Sequence, residues 1–187
     1  MSVLPAVLLS GPPASGKSTL SHRVARELRA AVIDQDVATG PLVSVVQRLV
    51  GLDDLDDPRL TGLTREPRYR VVLDLAVDNL EAGMPVVLVA PFTAERTDPD
   101  AWAAARDRLM AASGTPVLVW LRLEPAEVLR RLRERAAPRD APKLTDEAAY
   151  LARLATACTP PVVPHHALDA TRPPDVLARA VLDALPG

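Results

Sequence analysis

The sequence predicts an α/β fold, a parallel sheet of five strands flanked by helices on both faces. Short apolar runs alternate with segments of helical periodicity, and the runs lie at 3–9, 31–34, 84–92, 116–123 and 166–168. Strands that are separated by helices favour a parallel sheet. The length of 187 residues fits one domain, 1–187, and the 48% hydrophobic content supports a real core.

The first apolar run leads into the stretch GPPASGKST at 11–19. A glycine, four residues and then Gly-Lys-Ser is the spacing of a Walker A phosphate-binding loop. Its backbone N–H groups cradle a polyphosphate, its lysine reaches the β- and γ-phosphates, and its serine hydroxyl holds Mg²⁺. The residues expected to bind the nucleotide are therefore Gly11, Pro12, Pro13, Ala14, Ser15, Gly16, Lys17, Ser18 and Thr19.

The first helix is predicted from about Lys17 to Ala30. Leu20, Val24 and Leu28 fall on one face of it, as an amphipathic helix requires. The positive end of this helix lies at the phosphate loop and favours an anion there. The short run AVID at 31–34 then predicts the second strand.

The middle of the chain is predicted to carry the substrate-binding helices, over about 37–82. Periodic apolar residues predict helices at 41–50 and 67–82, and Gly83 ends the second one. The intervening residues, 51–66, are predicted to form a mobile loop, because they are rich in aspartate and glycine.

Proline positions predict where helices begin in the second half of the chain. Asp98-Pro99 is typical of a helix cap and first turn, and prolines open two more helices at 125 and 173–174. A further helix is predicted over 145–157.

Two carboxylates follow the second strand. Asp34 and Asp36 lie 17 and 19 residues after Lys17. Residues i and i+2 of an extended segment project to the same side, so both are expected to face the γ-phosphate. One is expected to join Ser18 at Mg²⁺, and the other to accept a proton from a substrate hydroxyl.

A basic segment follows at 130–143. Cationic side chains on a closing segment stabilise the charge of a phosphoryl group in transfer. Arg131 and Arg135 share a helix face, whereas Arg139 follows a proline. We expect Arg135 and Arg139 to be catalytic, Arg131 and Arg135 to bind the nucleotide, and Arg130 and Arg133 to lie on a solvated surface.

Four pieces of the chain carry a resemblance to a known family: GPPASGKST, IDQD, VVLVAPFTAER and RLRERAAPRDAPKL. They resemble the shikimate kinase, gluconate kinase and chloramphenicol phosphotransferase branch of P-loop kinases, and its AAA-like relatives. The resemblance implies a nucleoside-monophosphate-kinase-like fold with a lid at about 130–145. It further implies that Asp34 assists Mg²⁺ and that Asp36 contacts the substrate hydroxyl as a base. The turn Thr171, Arg172, Pro173 would lie against the nucleotide base.

One segment departs from that family. Shikimate kinases have a glycine-rich turn after the third strand, where this chain has Pro91-Phe92-Thr93. This difference counts against shikimate as the acceptor. Pro91 and Phe92 are instead expected to contact the acceptor, with the Phe92 ring stacking on it. An acceptor anion is expected to pair with one of four arginines, Arg65, Arg68, Arg70 or Arg96.

We therefore predict a cytoplasmic phosphotransferase, a monomer or homodimer, that uses ATP or GTP and Mg²⁺ to phosphorylate a hydroxyl of a small molecule. The net charge of −2 argues against nucleic-acid or membrane binding, and the single cysteine suits a reducing compartment. An antibiotic-inactivating enzyme is one alternative, and a zeta-toxin-like or polynucleotide kinase is another. A nucleotide-dependent binding switch is a third, disfavoured because the run VVLVA ends without an acid and no NKxD motif exists.

Overall fold

The computed structural model describes residues 3–52, 57–136, 145 and 147–186. Five strands form one parallel sheet, which confirms the predicted fold class. They are β1 Leu4–Ser10, β2 Ala31–Asp34, β3 Val86–Val89, β4 Gly114–Arg122 and β5 His166–Asp169, in the spatial order β2-β3-β1-β4-β5. The central position of β1 sets the phosphate loop in the middle of the sheet's carboxyl edge.

Helices cover both faces of this sheet. The described helices are α1 Lys17–Leu28, α2 Gln35–Leu49, α3 Pro58–Glu81, α4 Thr93–Thr97, α5 Pro99–Ala111, α6 Pro125–Arg135, α7 Glu147–Cys158 and α8 Pro174–Asp183. Within the described ranges, none of these helices is both long enough and apolar enough to cross a membrane.

Alternate residues of β1 enter two separate cores. Val7 and Leu9 are fully buried in the core that contains the inner faces of α1, α6 and α8. Ala6 and Leu8 are fully buried in the other core, with α3 and α5. Side chains of a strand alternate between the two faces of its sheet, and both faces are covered here. This explains why the first strand is an unbroken apolar run.

Two Asp-Pro pairs begin long helices. Asp57 accepts a hydrogen bond from the Arg59 amide at 2.8 Å, and Asp98 accepts one from the Asp100 amide at 3.0 Å. Each following proline occupies the first turn, where its missing N–H has no role in the helix. The prediction of a loop over 51–66 is therefore wrong from Pro58 onward.

Helix α2 begins directly after β2 rather than at residue 41. Asp34 ends the strand and caps the helix, accepting a hydrogen bond from the Asp36 amide at 2.9 Å. Asp36 is therefore in the first helical turn and not on an extended segment, so the predicted i, i+2 alignment of the two acids is wrong. The side chains of Asp34 and Asp36 therefore contact different residues.

Candidate active site

The phosphate loop joins β1 to α1 through glycine conformations that other residues rarely adopt. Gly11 has φ +152° and Gly16 has φ +88°. A Cβ on Gly11 would lie 2.8 Å from the Leu121 carbonyl oxygen, so a side chain cannot be accommodated there without movement of the backbone. The sequence spacing thus forms the predicted loop, at the amino end of α1.

Lys17 folds back over this loop. Its Nζ donates hydrogen bonds of 2.8 Å to the carbonyl oxygens of Gly11 and Pro12. Burial lowers the pKa of its ammonium to about 8; the carboxylates of Asp36 and Asp34 oppose this effect, and the positive charge of Arg135 adds to it. The ammonium is thus held against the loop by two backbone carbonyls.

Ser18 and Asp34 form the predicted metal pair. The Ser18 hydroxyl donates to Asp34 Oδ2 at 3.1 Å, while Asp34 Oδ1 accepts the Asp36 amide. Both side chains are hard oxygen ligands, the type that Mg²⁺ prefers together with phosphate oxygens. The donor set therefore fits a magnesium ion shared with a polyphosphate.

Asp36 contacts helix α3. Its Oδ1 lies 2.5 Å from Arg68 Nη2, and Arg68 Nε also donates to Thr39 Oγ1 at 3.0 Å. The Asp36 side chain is 71% exposed, whereas that of Arg68 is 26% exposed. The acid predicted to act as the base is thus solvent-accessible and held by one of the arginines predicted to bind an acceptor anion.

Arg131 connects the phosphate loop to the turn after β5. Its guanidinium donates to the Ala14 carbonyl at 3.3 Å and to the Ala170 carbonyl at 2.9 Å. Glu127 accepts from Arg131 Nε at 2.8 Å and so fixes the guanidinium plane. Hydrogen bonds from Arg130 and Arg131 lower the pKa of Glu127 to about 2. Sequence reasoning missed Glu127, although it lies four residues before Arg131 and would share its helix face.

The turn predicted to lie against the nucleotide base is held by Asp169. Its Oδ1 accepts hydrogen bonds from the Thr171 amide at 3.0 Å and the Thr171 hydroxyl at 2.8 Å. Arg172 and Pro173 follow, both exposed, immediately before α8. The bond from Arg131 to Ala170 brings this turn beside the phosphate loop.

The structure describes mainly the first residues of the predicted lid. Arg135 is the last residue of α6 and lies near enough to Lys17 for its charge to lower the pKa of that ammonium. Arg139 lies outside the described residues, as does most of the segment 130–145 beyond Ala136. The lid therefore stays a prediction.

Two residues predicted to contact the acceptor lie in the protein interior. Phe92 is fully buried, where its ring meets Tyr69 edge-on at 6.1 Å between centroids. Arg96 is 2% exposed; its guanidinium lies over the Trp120 ring and donates to the carbonyl oxygens of Thr156 and Thr159. The ring of Phe92 is not available for stacking, and Arg96 joins α4 to α7 rather than meeting a cleft. Pro91 stays exposed at the end of β3, its carbonyl accepting from Ser10 Oγ at 2.7 Å.

A cavity of about 780 Å³ lies between α3 and α4. Arg65, Tyr69 and Glu95 are among the residues that line it. Arg65 and Arg68 are three residues apart and so are neighbours on the surface of α3, but the cavity lining includes Arg65 and not Arg68 or Asp36. The Tyr69 hydroxyl accepts a hydrogen bond from the Thr93 amide at 3.3 Å, at the beginning of α4. Sequence reasoning predicted Arg65 here but missed Tyr69 and Glu95.

The parallel sheet, the glycine-rich loop at its centre and the Ser18–Asp34 pair define a P-loop nucleotide-binding protein. Comparison with known proteins assigns the chain to a family within this class. Residues 7–161 match the AAA domain family, and the chain belongs to that family.

Known relatives agree with the fold. A shikimate kinase of Corynebacterium diphtheriae is 31% identical over 129 residues, which span 69% of this chain and 63% of that enzyme. A gluconokinase of Sinorhizobium meliloti superposes with a TM-score of 0.61 at 19% identity, covering 98% of this chain and 92% of its own. An APS kinase of Mycobacterium tuberculosis, solved with AMPPNP and APS, gives 0.57 at 22% identity, with 98% of each chain covered. The resemblance to P-loop small-molecule kinases is thereby confirmed.

Proposed function

We propose that this protein is a kinase that transfers the γ-phosphate of ATP to a hydroxyl group of a small molecule. The observation that carries the proposal is the meeting of three features at one edge of the sheet. These are the phosphate loop with Lys17, the Ser18–Asp34 oxygen pair, and the accessible Asp36 carboxylate, which Arg68 of α3 holds.

Each group has a defined task in this reaction. Lys17 supplies positive charge to the β- and γ-phosphates, and a bound Mg²⁺ at Ser18 and Asp34 would neutralise phosphate charge. Asp36 accepts the proton of the acceptor hydroxyl and aligns its oxygen with the γ-phosphorus. Arg131 and Arg135 add positive charge from α6, where the moving phosphoryl group needs it.

The proposals for the phosphate donor and for the acceptor site rest on different observations. ATP is favoured because the similar APS kinase is solved with the nucleotide AMPPNP, and GTP is the other donor predicted from the sequence. The acceptor site proposed is the cavity between α3 and α4, with Arg65 available to an anionic group of the acceptor. An antibiotic acceptor is the specific alternative, and Pro91-Phe92-Thr93, in place of a glycine-rich turn, is the feature that favours it over shikimate.

The test is turnover of ATP and of GTP against a library of hydroxylated metabolites and antibiotics, with the phosphorylated product identified by mass spectrometry. Asp36→Asn should lower kcat by about 10² to 10⁴ and change nucleotide affinity far less, because it removes the proton acceptor and leaves the phosphate loop in place. Asp107→Asn, an exposed acid of α5, is the matched control and should retain full activity. Rapid hydrolysis without any acceptor would instead indicate the nucleotide-dependent switch, and an unchanged kcat in Asp36→Asn would remove Asp36 from the mechanism.

A further inference from the structure

A second carboxylate borders the cavity, on the opposite wall from Arg65. Glu95 of α4 is 8% exposed, and its Oε2 atom is buried without a hydrogen-bond partner in the described part of the chain. Buried carboxylate oxygens are almost always paired, since an unpaired one loses its hydration with nothing in return. Other buried polar atoms, such as Trp120 Nε1, also have no partner in the described residues, but Glu95 is the one whose residue lines the cavity, where a ligand can supply a partner.

The surroundings of Glu95 do not supply that partner. Burial raises the pKa of its carboxyl, whereas its own backbone N–H and the charge of Arg65 act in the opposite direction. Arg65 is exposed at the cavity wall and lies beyond ion-pair distance of Glu95. Glu66, also at the cavity, pairs with Arg70, and the Tyr69 hydroxyl is in contact with the Thr93 amide.

The neighbouring residue, Arg96, differs from Glu95 in its partners. Arg96 is 2% exposed, and its two terminal guanidinium nitrogens have carbonyl partners while the group lies over an aromatic ring; only its Nε is without a partner in the described residues. One turn of the same short helix thus presents a structural cation to the interior and an unpaired acid to the cavity. A purely structural acid in this position would be expected to have a comparable set of partners.

We infer that Glu95 determines acceptor specificity and that the acceptor bears an ammonium group, which Glu95 binds inside the cavity between α3 and α4. A cationic nitrogen satisfies both needs of a buried carboxylate, a hydrogen-bond donor and an opposite charge. The exposed Arg65 stays available to hydroxyl or anionic groups nearer the solvent. This inference rests on the proposed function, because it takes the cavity to be the acceptor site.

The experiment measures binding without nucleotide, by calorimetry and ligand-observed NMR. Probes are sugars and cyclitols paired with their amino counterparts: glucose with glucosamine, galactose with galactosamine, and inositol with an inosamine. At least one amino compound should bind about tenfold more tightly than its hydroxyl partner. Glu95→Gln should abolish this preference, since it keeps the shape of the side chain and removes the charge. If no amino compound is preferred, or if the preference survives in Glu95→Gln, the inference is overturned.

Two controls separate Glu95 from its surroundings. Asp74→Asn removes a negative charge from α3 at an exposed, paired residue outside the cavity and should leave the amino preference unchanged. Loss of the preference in both variants would show a general charge effect and overturn the assignment to Glu95. The Tm of Glu95→Gln should not fall, because the unpaired buried charge is relieved; if the variant fails to fold, Glu95→Asp, with a shorter reach, must weaken the preference in its place.

Failure of this inference and failure of the proposed function give different results. If amino compounds are preferred through Glu95 but no phosphate is transferred, the ligand site is supported and the proposed kinase activity is rejected. Phosphate transfer to acceptors with no amino preference would retain the kinase and reject the role of Glu95.

Discussion

Nucleotide affinity should fall between pH 7 and pH 9, because the ammonium of Lys17 loses its proton in this range. Burial lowers the pKa of Lys17 to about 8 in the free protein, below the ordinary value of 10.5. A bound triphosphate places negative charge against the ammonium and stabilises the protonated form. Binding above pH 8 must therefore be accompanied by uptake of a proton.

The size of the effect follows from the pKa. With a pKa of about 8, roughly nine-tenths of the Lys17 side chains are protonated at pH 7 and roughly one-tenth at pH 9. The dissociation constant of the nucleotide should therefore rise about tenfold over this range. A lysine of ordinary pKa would stay charged at both values, and the affinity would not change.

Calorimetry with AMPPNP measures both quantities. Titrations at pH 7, 8 and 9 give the dissociation constant, and buffers of different ionisation enthalpy at pH 9 give the number of protons taken up, which should approach one. Lys17→Ala should bind more weakly at each pH, with the dependence on pH lost. An affinity that is constant from pH 7 to pH 9, or a dependence that persists in Lys17→Ala, would refute the reasoning.

Three further substitutions test separate contacts. Arg131→Ala should raise the dissociation constant of the nucleotide about tenfold in calorimetry, since the loop and the 169–172 turn lose their common donor; Arg130→Ala, on the exposed face, should not. Arg96→Leu should lower the free energy of unfolding in urea by about 1–3 kcal/mol, because the carbonyls of Thr156 and Thr159 lose their donor, and an unchanged midpoint would contradict this. Gly11→Ala should abolish nucleotide binding through the 2.8 Å contact of its Cβ with backbone, whereas Gly40→Ala, with open space around it, should bind normally in the same assay.

The phosphate loop could be predicted from the sequence because its geometry is local. The spacing of Gly11 and Gly16 fixes where the backbone turns, and the apolar strand and amphipathic helix on either side complete the unit. The proximity of Ser18 and Asp34 could also be predicted, since parallel strands bring their carboxyl ends to one edge of the sheet.

The boundaries of strands and helices were harder to predict where one residue both ends a strand and caps a helix. Asp34 ends a strand and caps a helix at once, so no loop separates β2 from α2, and Asp36 becomes helical. The aspartates before α3 resembled a solvated turn, although Asp57-Pro58 is the same type of signal as Asp98-Pro99, which was interpreted correctly.

Side-chain burial after β3 depends on distant parts of the chain. Arg96 is interior because Trp120 of β4 and the carbonyls at the end of α7 surround it, and no local pattern announces these partners. Phe92 has a φ of +44° and turns into the core against Tyr69 of α3. The same tertiary contacts leave Glu95 on the cavity side, which is why the sequence did not indicate it.

The different anchoring of Asp34 and Asp36 makes two functions independently adjustable. Asp34 is attached to the sheet and to α1, whereas Asp36 is attached through Arg68 to α3. A substitution that tilts α3 to admit a larger or smaller alcohol is therefore expected to move the proposed proton acceptor and to leave the proposed cation ligands in position. Such a division would let new acceptors be adopted without rebuilding the machinery that handles the nucleotide.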